Sequence, residues 1–593
     1  MKLAKIGLRP AWPLWLSGIV AGLALFLAAI PLALVINRIS AALPGQQEKA
    51  IIAIGVIFVL VLATPLAVYL LAARRSADPA RIGLIVLATT GVLLVASYLY
   101  QVSFWVFYPG DFLIWSETEF VSDILKFRIG YPLYTDQLNN ESFIYPPGAP
   151  LATYFISSIL GNATSITFFR VVQLGYTLGA AAFAFLSFRT LMQLRYKDED
   201  SPPSMPLSFL WLPLLFLVAS NSLTNPFAHN LHNDAFGQLL AAAGYFVLVR
   251  YAATRDWRLL VFMALIPAAG FMVKQIVAIW APLFVIYLGL FDRPRSIPRT
   301  LAVAIGGFGG IALAVGVGLL IWGGDFQYWI FQAAGNHPVS PVRSFQHVLD
   351  TWPYWSVGLI GGFILLRGRF SAQVFGLWAI WLVLFLGEAY TSGIGWMLNH
   401  LGPGSLIAGI WLAAGLTRLW NDEMPAMLGK LAPQRWLGYG IALAVVLLLL
   451  NGLGMFHLPI RPVSDDSIRY FNEVEAEFRG LPVDRVLLDS GSWYYLDNNT
   501  VMKDRVTSIG DRGYGQTGDF SGIIQRLEGK HYDKIMVRNL HLPKFWYESD
   551  TWAEPAGIKD AMLANYDEVK VIKGVEDIDR YLLGDVSVLV PKR

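Results

Sequence analysis

Trp12 to Ile36 is an unbroken run of residues without a charged side chain. As a helix it would be about 37 Å long, more than the roughly 30 Å of a bilayer's hydrocarbon core. It follows Lys2, Lys5 and Arg9, is too long for a signal-peptide core and lacks a convincing cleavage site, so it reads as a retained first helix. Comparable apolar stretches follow at about 50–73, 82–107, 165–192, 207–224, 233–252, 258–272, 276–291, 299–321, 352–366, 372–387, 402–417 and 437–456. This pattern predicts about thirteen crossings, several of them short or tilted.

The charge distribution sets the other boundary. Residues 1–456 hold 46 Asp, Glu, Lys and Arg side chains and residues 457–593 hold 41, although the second segment is less than a third as long. The expected fold is therefore an all-α polytopic membrane protein over 1–456 with a soluble α/β domain over 457–593. In the tail, Ser464 is placed to cap a helix carrying Ile468, Phe471, Val474 and Phe478. Val486–Leu488, Ile535–Val537 and Val586–Val590 read as strands, with a helix around Ile523–Leu527. A formal net charge of +3 gives no sign of nucleic-acid binding, and the absence of cysteine excludes disulfides, thiolate metal sites and cysteine nucleophiles.

Basic residues fix an expected topology. The clusters at Lys2–Arg9, Arg74–Arg81, Arg195–Lys197, Arg250–Arg258, Arg293–Arg299, Arg367–Arg369 and Arg418–Arg435 can all be cytoplasmic together. An odd number of crossings then puts the N-terminus in the cytoplasm and the tail outside the plasma (inner) membrane. The segment 147–160 is too short to span and is expected to be re-entrant or juxtamembrane. The loops facing outward are 108–147, 225–232, the turn at Lys274, 322–351 and 388–401. They contain nearly all the unusual polar residues of the membrane part, as a site at the membrane surface requires.

The first large loop opens Tyr108-Pro109-Gly110-Asp111-Phe112, runs through Glu117 and Glu119, and continues with Gly130-Tyr131-Pro132-Leu133-Tyr134 and Phe143-Ile144-Tyr145-Pro146-Pro147. Pro109-Gly110 ends the preceding helix and turns Asp111 along the water–lipid boundary, where partial desolvation suits a carboxylate to take a proton from a sugar hydroxyl. Asp111 equally marks where an interfacial loop begins. Glu117 and Glu119 do not share a helix face, so at most one of them joins Asp111, and Glu119 is the candidate.

These elements together resemble the GT-C superfamily of multi-spanning glycosyltransferases that use polyprenyl-phosphate sugars. They are most similar to the polyprenyl-phosphomannose-dependent mannosyltransferases and to relatives of the protein O-mannosyltransferase and aminoarabinose-transferase type. The resemblance is concentrated over 100–165 and diffuse elsewhere. It implies an integral membrane glycosyltransferase that moves a sugar from a polyprenyl-phosphate carrier to a hydroxyl of a glycan, lipid or protein acceptor on the extracytoplasmic face, with inversion. It also implies Asp111 as the base. Two helices before the motif loop and the additional acids Glu117 and Glu119 depart from the family pattern.

Further outward-facing residues are candidates for holding the donor. Lys274 interrupts two apolar halves, where a buried ammonium is costly unless it meets an anion such as the carrier phosphate; a snorkelling lysine is the alternative. His229, His232 and Asp234 lie in Asn225-Pro226-Phe227-Ala228-His229-Asn230-Leu231-His232-Asn233-Asp234, without the spacing of a metal motif. His232 and Asp234 are expected to contact the sugar or acceptor, with helix capping by Asn233 or Asp234 as the alternative. His400 opens a helix whose N-terminus can attract phosphate. Tyr145 and Arg343 complete the set. No metal and no cofactor beyond the donor is expected. Gly513–Gly518 is a glycine-rich stretch without the strand-to-helix context of a nucleotide loop. Rival readings are a lipid or glycan flippase and a non-catalytic glycan-binding scaffold.

Overall fold

In the computed structural model, the described residues are 89–197 except 90, 93, 94, 97, 101, 104, 112 and 113, then 211–221, 228–367, 371–394, 398–418, 465–489, 491–513, 518–538, 540–541, 557–575 and 584–593. The expected crossings at 12–37, 50–73 and 437–456, and the cap at Ser464, lie outside them. Among the described residues four helices are long and apolar enough to cross a membrane: Ile166–Arg195, Asn233–Thr254, Ile297–Ala333 and Ala372–Ser392. Shorter apolar helices include Arg258–Val273, Trp352–Leu366 and Gly402–Arg418. Several starts are set by local chemistry, since Ser165 and Ser371 each accept a hydrogen bond from the backbone N–H three residues on.

The helices pack around a core that contains the buried indoles of Trp280, Trp381 and Trp411. Close approach depends on missing side chains. A Cβ on Gly415 would lie 2.6 Å from the Cα of Gly361, so these glycines let Trp352–Leu366 and Gly402–Arg418 touch backbone to backbone. The segment expected to be re-entrant or juxtamembrane forms the helix Gly148–Ile159, about 18 Å long and too short to span. Ala149, Pro150, Thr153 and Ser157 are buried, whereas Phe155, Ile159 and Leu160 are exposed.

The helix Ile114–Ile129 is the one on which the sequence placed Glu117 and Glu119, whereas two expected loops contain more helix than the sequence suggested. Ile297–Gln327 continues into a wider turn at Tyr328–Ala333, followed by Pro341–Asp350. Ala372–Ser392 carries Glu388 inside a packed helix rather than in a loop. Polar residues facing protein need not end a helix; they need partners.

The tail folds into a four-stranded sheet ordered β1-β2-β4-β3, with β1 Val486–Leu488, β2 Lys534–Arg538, β3 Tyr566–Ile572 and β4 Val586–Pro591. β1 pairs parallel with β2, and the other pairs are antiparallel. The three apolar strands and the helices Asp465–Phe478 and Ser521–Glu528 agree with the sequence expectation. β3 was not foreseen because Asp567, Glu568 and Lys570 interrupt its apolar pattern, as suits an exposed edge. Nor does this part stand apart from the segment 108–147. Trp105, Tyr108 and Phe120 share one apolar cluster with Tyr470, Phe478, Val486 and Val588.

Candidate functional site

The polar architecture of the candidate site begins in the helix Ile166–Arg195, where Arg170, Gln173 and Thr177 recur at helical spacing. The Arg170 guanidinium donates to both oxygens of Glu117 at 2.7 Å, to the carbonyl of Tyr108 at 2.5 Å and to that of Gly110 at 2.7 Å. It thereby fixes the turn that presents Asp111. Gln173 donates to the His232 carbonyl, and Thr177 to that of Ala228 at 2.8 Å. One helix face thus positions two segments distant in sequence. The legible signal was a row of polar residues in an apolar helix.

Asp111 is 1% exposed and fully engaged. Ser492 donates from Oγ to Oδ1 at 2.8 Å and from its backbone N–H to Oδ2 at 2.9 Å, while Thr118 donates to Oδ2 at 3.2 Å. Arg538 donates to the Asp111 carbonyl at 2.8 Å. Glu119 meets Arg505 at 2.5 Å and accepts from Ser508 Oγ at 3.0 Å. Burial lifts the Glu119 carboxyl above its ordinary range, against the pull of Arg505 and Ser508. Both expected acids therefore hold the tail onto the first loop. Replacing Ser492 with alanine should remove about 1.5–3 kcal/mol, the usual weight of a hydrogen bond to a charged group. The check is hydrogen exchange over 486–498, and unchanged protection there would deny this contact its weight.

Five other expected residues, Tyr145, His232, Asp234, Lys274 and His400, come together across four chain segments. Lys274, in extended backbone between Arg258–Val273 and the short turn Gln275–Ile279, donates to Asp234 Oδ1 at 2.7 Å. Asn399 donates to Asp234 Oδ2 at 2.7 Å, and His232 Nδ1 contacts the same oxygen. Lys274 Nζ lies 5.2 Å from the centroid of the Tyr145 ring, which meets His232 edge to face at 5.5 Å. His400 lines the adjoining cavity with Asp234, Gln238, Lys274, Glu388 and Asn399. This space of about 30 Å³ suffices for a water molecule. Burial pulls the His400 imidazole down to about 3.

The capping alternative for this segment does not hold. His232 occupies the cap position, Asn233 instead donates to the Val273 carbonyl at 2.7 Å, and Asp234 is the counter-ion of Lys274. The Asn233 contact sets the start of its helix beside Lys274. The N-terminus of the helix Gly402–Arg418 also already meets a carboxyl group, because Glu388 Oε2 accepts from Gly404 N–H at 2.9 Å. Sequence reasoning gave Asn399 and Glu388 no role; both come from segments more than a hundred residues away from Asp234. Arg343 is not among the cavity-lining residues and donates to the Gly393 and Ile394 carbonyls at 3.2 Å. Among the described residues, no group of three His, Asp or Glu side chains is arranged to hold a metal ion.

No protein-family model and no curated protein matches the sequence. Solved structures do match. One is the Archaeoglobus fulgidus oligosaccharyltransferase tethered with an acceptor peptide, with a TM-score of 0.50 and 10% identity, covering 82% of this chain and 72% of that one. Another is ArnT from Cupriavidus metallidurans in the apo state, with a TM-score of 0.50 and 14% identity, covering 84% of this chain and 97% of that one. At such low identity the likeness is one of fold. What this chain shares with both is its overall fold, mostly helical here with a small C-terminal sheet.

Proposed function

We propose that this protein is an integral membrane glycosyltransferase of GT-C type, which moves a sugar from a polyprenyl-phosphate carrier to a hydroxyl acceptor at the extracytoplasmic face of the plasma membrane. The observation that carries this reading is the Lys274 cluster. A buried ammonium, oriented by Asp234 and flanked by His232 and the Tyr145 ring, lies beside a cavity that His400 and Asn399 also line. As the bond to the sugar breaks, the carrier phosphate gains negative charge, and a fixed cation stabilises that transition state more than the ground state. The Tyr145 ring supplies an apolar face for a sugar.

The soluble domain over 457–593, outside the membrane in this reading, selects the acceptor or covers the site. Asp111, the base implied by family resemblance, reaches an acceptor hydroxyl only after Ser492 moves off its carboxylate. Mannose, arabinose and glucose are the sugars to compare.

One observation favours a second reading. The buried Asp234–Lys274 pair is also what a flippase could use for coupling. Purified protein incubated with labelled undecaprenyl-phosphate mannose, arabinose or glucose separates the two. Transfer predicts cleavage of one carrier sugar and a labelled product; intact carrier throughout, with movement between leaflets in vesicles, would favour the flippase.

A further inference from the structure

The helix Asn233–Thr254 starts at the Asp234 cluster and Arg258–Val273 returns to Lys274. The turn between them therefore lies about 25–30 Å from the cavity, at the other end of the helices. Arg255 ties a second turn to it, by pairing with Asp292 and donating to the Arg293 carbonyl. Tyr251 donates to Asp292 Oδ2 at 3.2 Å, and Arg299 reaches the Tyr251 hydroxyl at 3.5 Å. Segments 250–258 and 292–299 together hold six arginines and two aspartates. One aspartate joins the two turns, and among the described residues no other ion pair occurs in either segment. Arg258, Arg293, Arg295 and Arg299 stay exposed.

Basic loops on one side are expected of any membrane protein, and they need no ligand for that. Arg195 and Arg418 end helices that run the same way as Asn233–Thr254, and both are buried. Both donate to the Leu365 carbonyl, Arg195 at 3.3 Å and Arg418 at 2.9 Å. The exposed arginines differ in two respects. Arg295 and Arg299 flank the start of Ile297–Gln327, where Ser296 provides no side-chain cap and the first turn holds no acid. Beyond that start, Ile297, Leu301 and Ile305 form one exposed apolar stripe at four-residue spacing, and Trp257 is exposed next to Arg258.

We propose that these two turns form a binding site for the phosphodiester headgroup of an anionic phospholipid. An arginine fork can meet two phosphate oxygens at once, and the uncapped helix start adds backbone N–H donors. The acyl chains lie along Ile297, Leu301 and Ile305, while Trp257 sits at headgroup level. The site requires that these helices span a bilayer and is independent of sugar transfer. In the orientation proposed above it faces the cytoplasmic leaflet.

Native mass spectrometry of the full-length protein in detergent, titrated with dioleoyl phosphatidylglycerol or dioleoyl phosphatidylcholine, measures the preference. The wild type should bind phosphatidylglycerol more tightly. The triple variant Arg293→Gln, Arg295→Gln, Arg299→Gln should lose about 10²-fold of that affinity, the scale of three arginines near a charged lipid surface, with phosphatidylcholine binding unchanged. Arg469→Gln with Arg479→Gln, which removes exposed arginines from the tail, should keep the preference. Arg258→Glu, a single change at an exposed side chain, is the second variant should the triple one misfold, and it should weaken phosphatidylglycerol binding by at least about 10-fold. Equal binding of both lipids by the wild type overturns the assignment, and so does an unchanged preference in Arg258→Glu. Loss of the preference in Lys274→Met, with the triple variant behaving as wild type, would move the anion to the cavity. A dimer mass with both lipids excluded would give this surface to a second copy of the chain.

Discussion

Lys274→Met should abolish sugar transfer, with a loss of at least about 10²-fold, the scale set by removing one fixed charge-stabilising group from a site. It should also weaken binding of undecaprenyl phosphate. Part of the effect will be structural, because Asp234 would keep its negative charge in a buried site with His232 and Asn399 as its remaining partners among the described residues. Breaking one side of a buried pair costs about 3–5 kcal/mol, whereas removing both charges costs far less. The double variant Asp234→Asn with Lys274→Met should therefore recover most of the thermal stability and none of the transfer. Full transfer by Lys274→Met, measured as release of labelled polyprenyl phosphate, would remove the cation from the mechanism.

The second large effect belongs to Arg170. Arg170→Ala leaves Glu117 charged in a site where neither side chain is exposed to solvent, and it removes the arginine donor from the carbonyls of Tyr108 and Gly110. The buried charge alone should cost about 3–5 kcal/mol. Each carbonyl left without a donor adds about 1–3 kcal/mol. Pairing Arg170→Met with Glu117→Gln removes the charge term but restores no donor to the carbonyls, so stability should return only in part. Denaturation of the protein in detergent gives both numbers. A loss below about 1 kcal/mol in Arg170→Ala would place its weight at the level of a surface pair. Because the Asp111 turn hangs on this guanidinium, Arg170→Ala should also loosen the tail at Ser492.

Part of the membrane region was legible because a bilayer imposes a one-dimensional rule: a span must be long and apolar. Ile166–Arg195, Asn233–Thr254 and Ala372–Ser392 therefore fall close to their expected limits. The buried strands of the tail were legible for a related reason, since Val486–Leu488 and Val586–Pro591 are apolar runs too short for helices. β3 was not, because an edge strand keeps its charges and shows little periodicity.

The candidate site was only half visible. Lys274 stood out on its own, as a cation inside an apolar run always does, and the paired histidines and Asp234 marked their segment. The sequence by itself determined that these polar residues, set among apolar ones, needed partners. Only the tertiary structure decided which partners: Asp234 with Lys274 across 40 residues, Asn399 with Asp234 across 165, and Ser492 with Asp111 across 381. A carboxylate that reads as a free base in one dimension becomes the anchor of a distant domain in three. Hydrophobic periodicity is a property of neighbours along the chain, whereas satisfying a buried charge depends on whatever the packing brings within hydrogen-bonding distance.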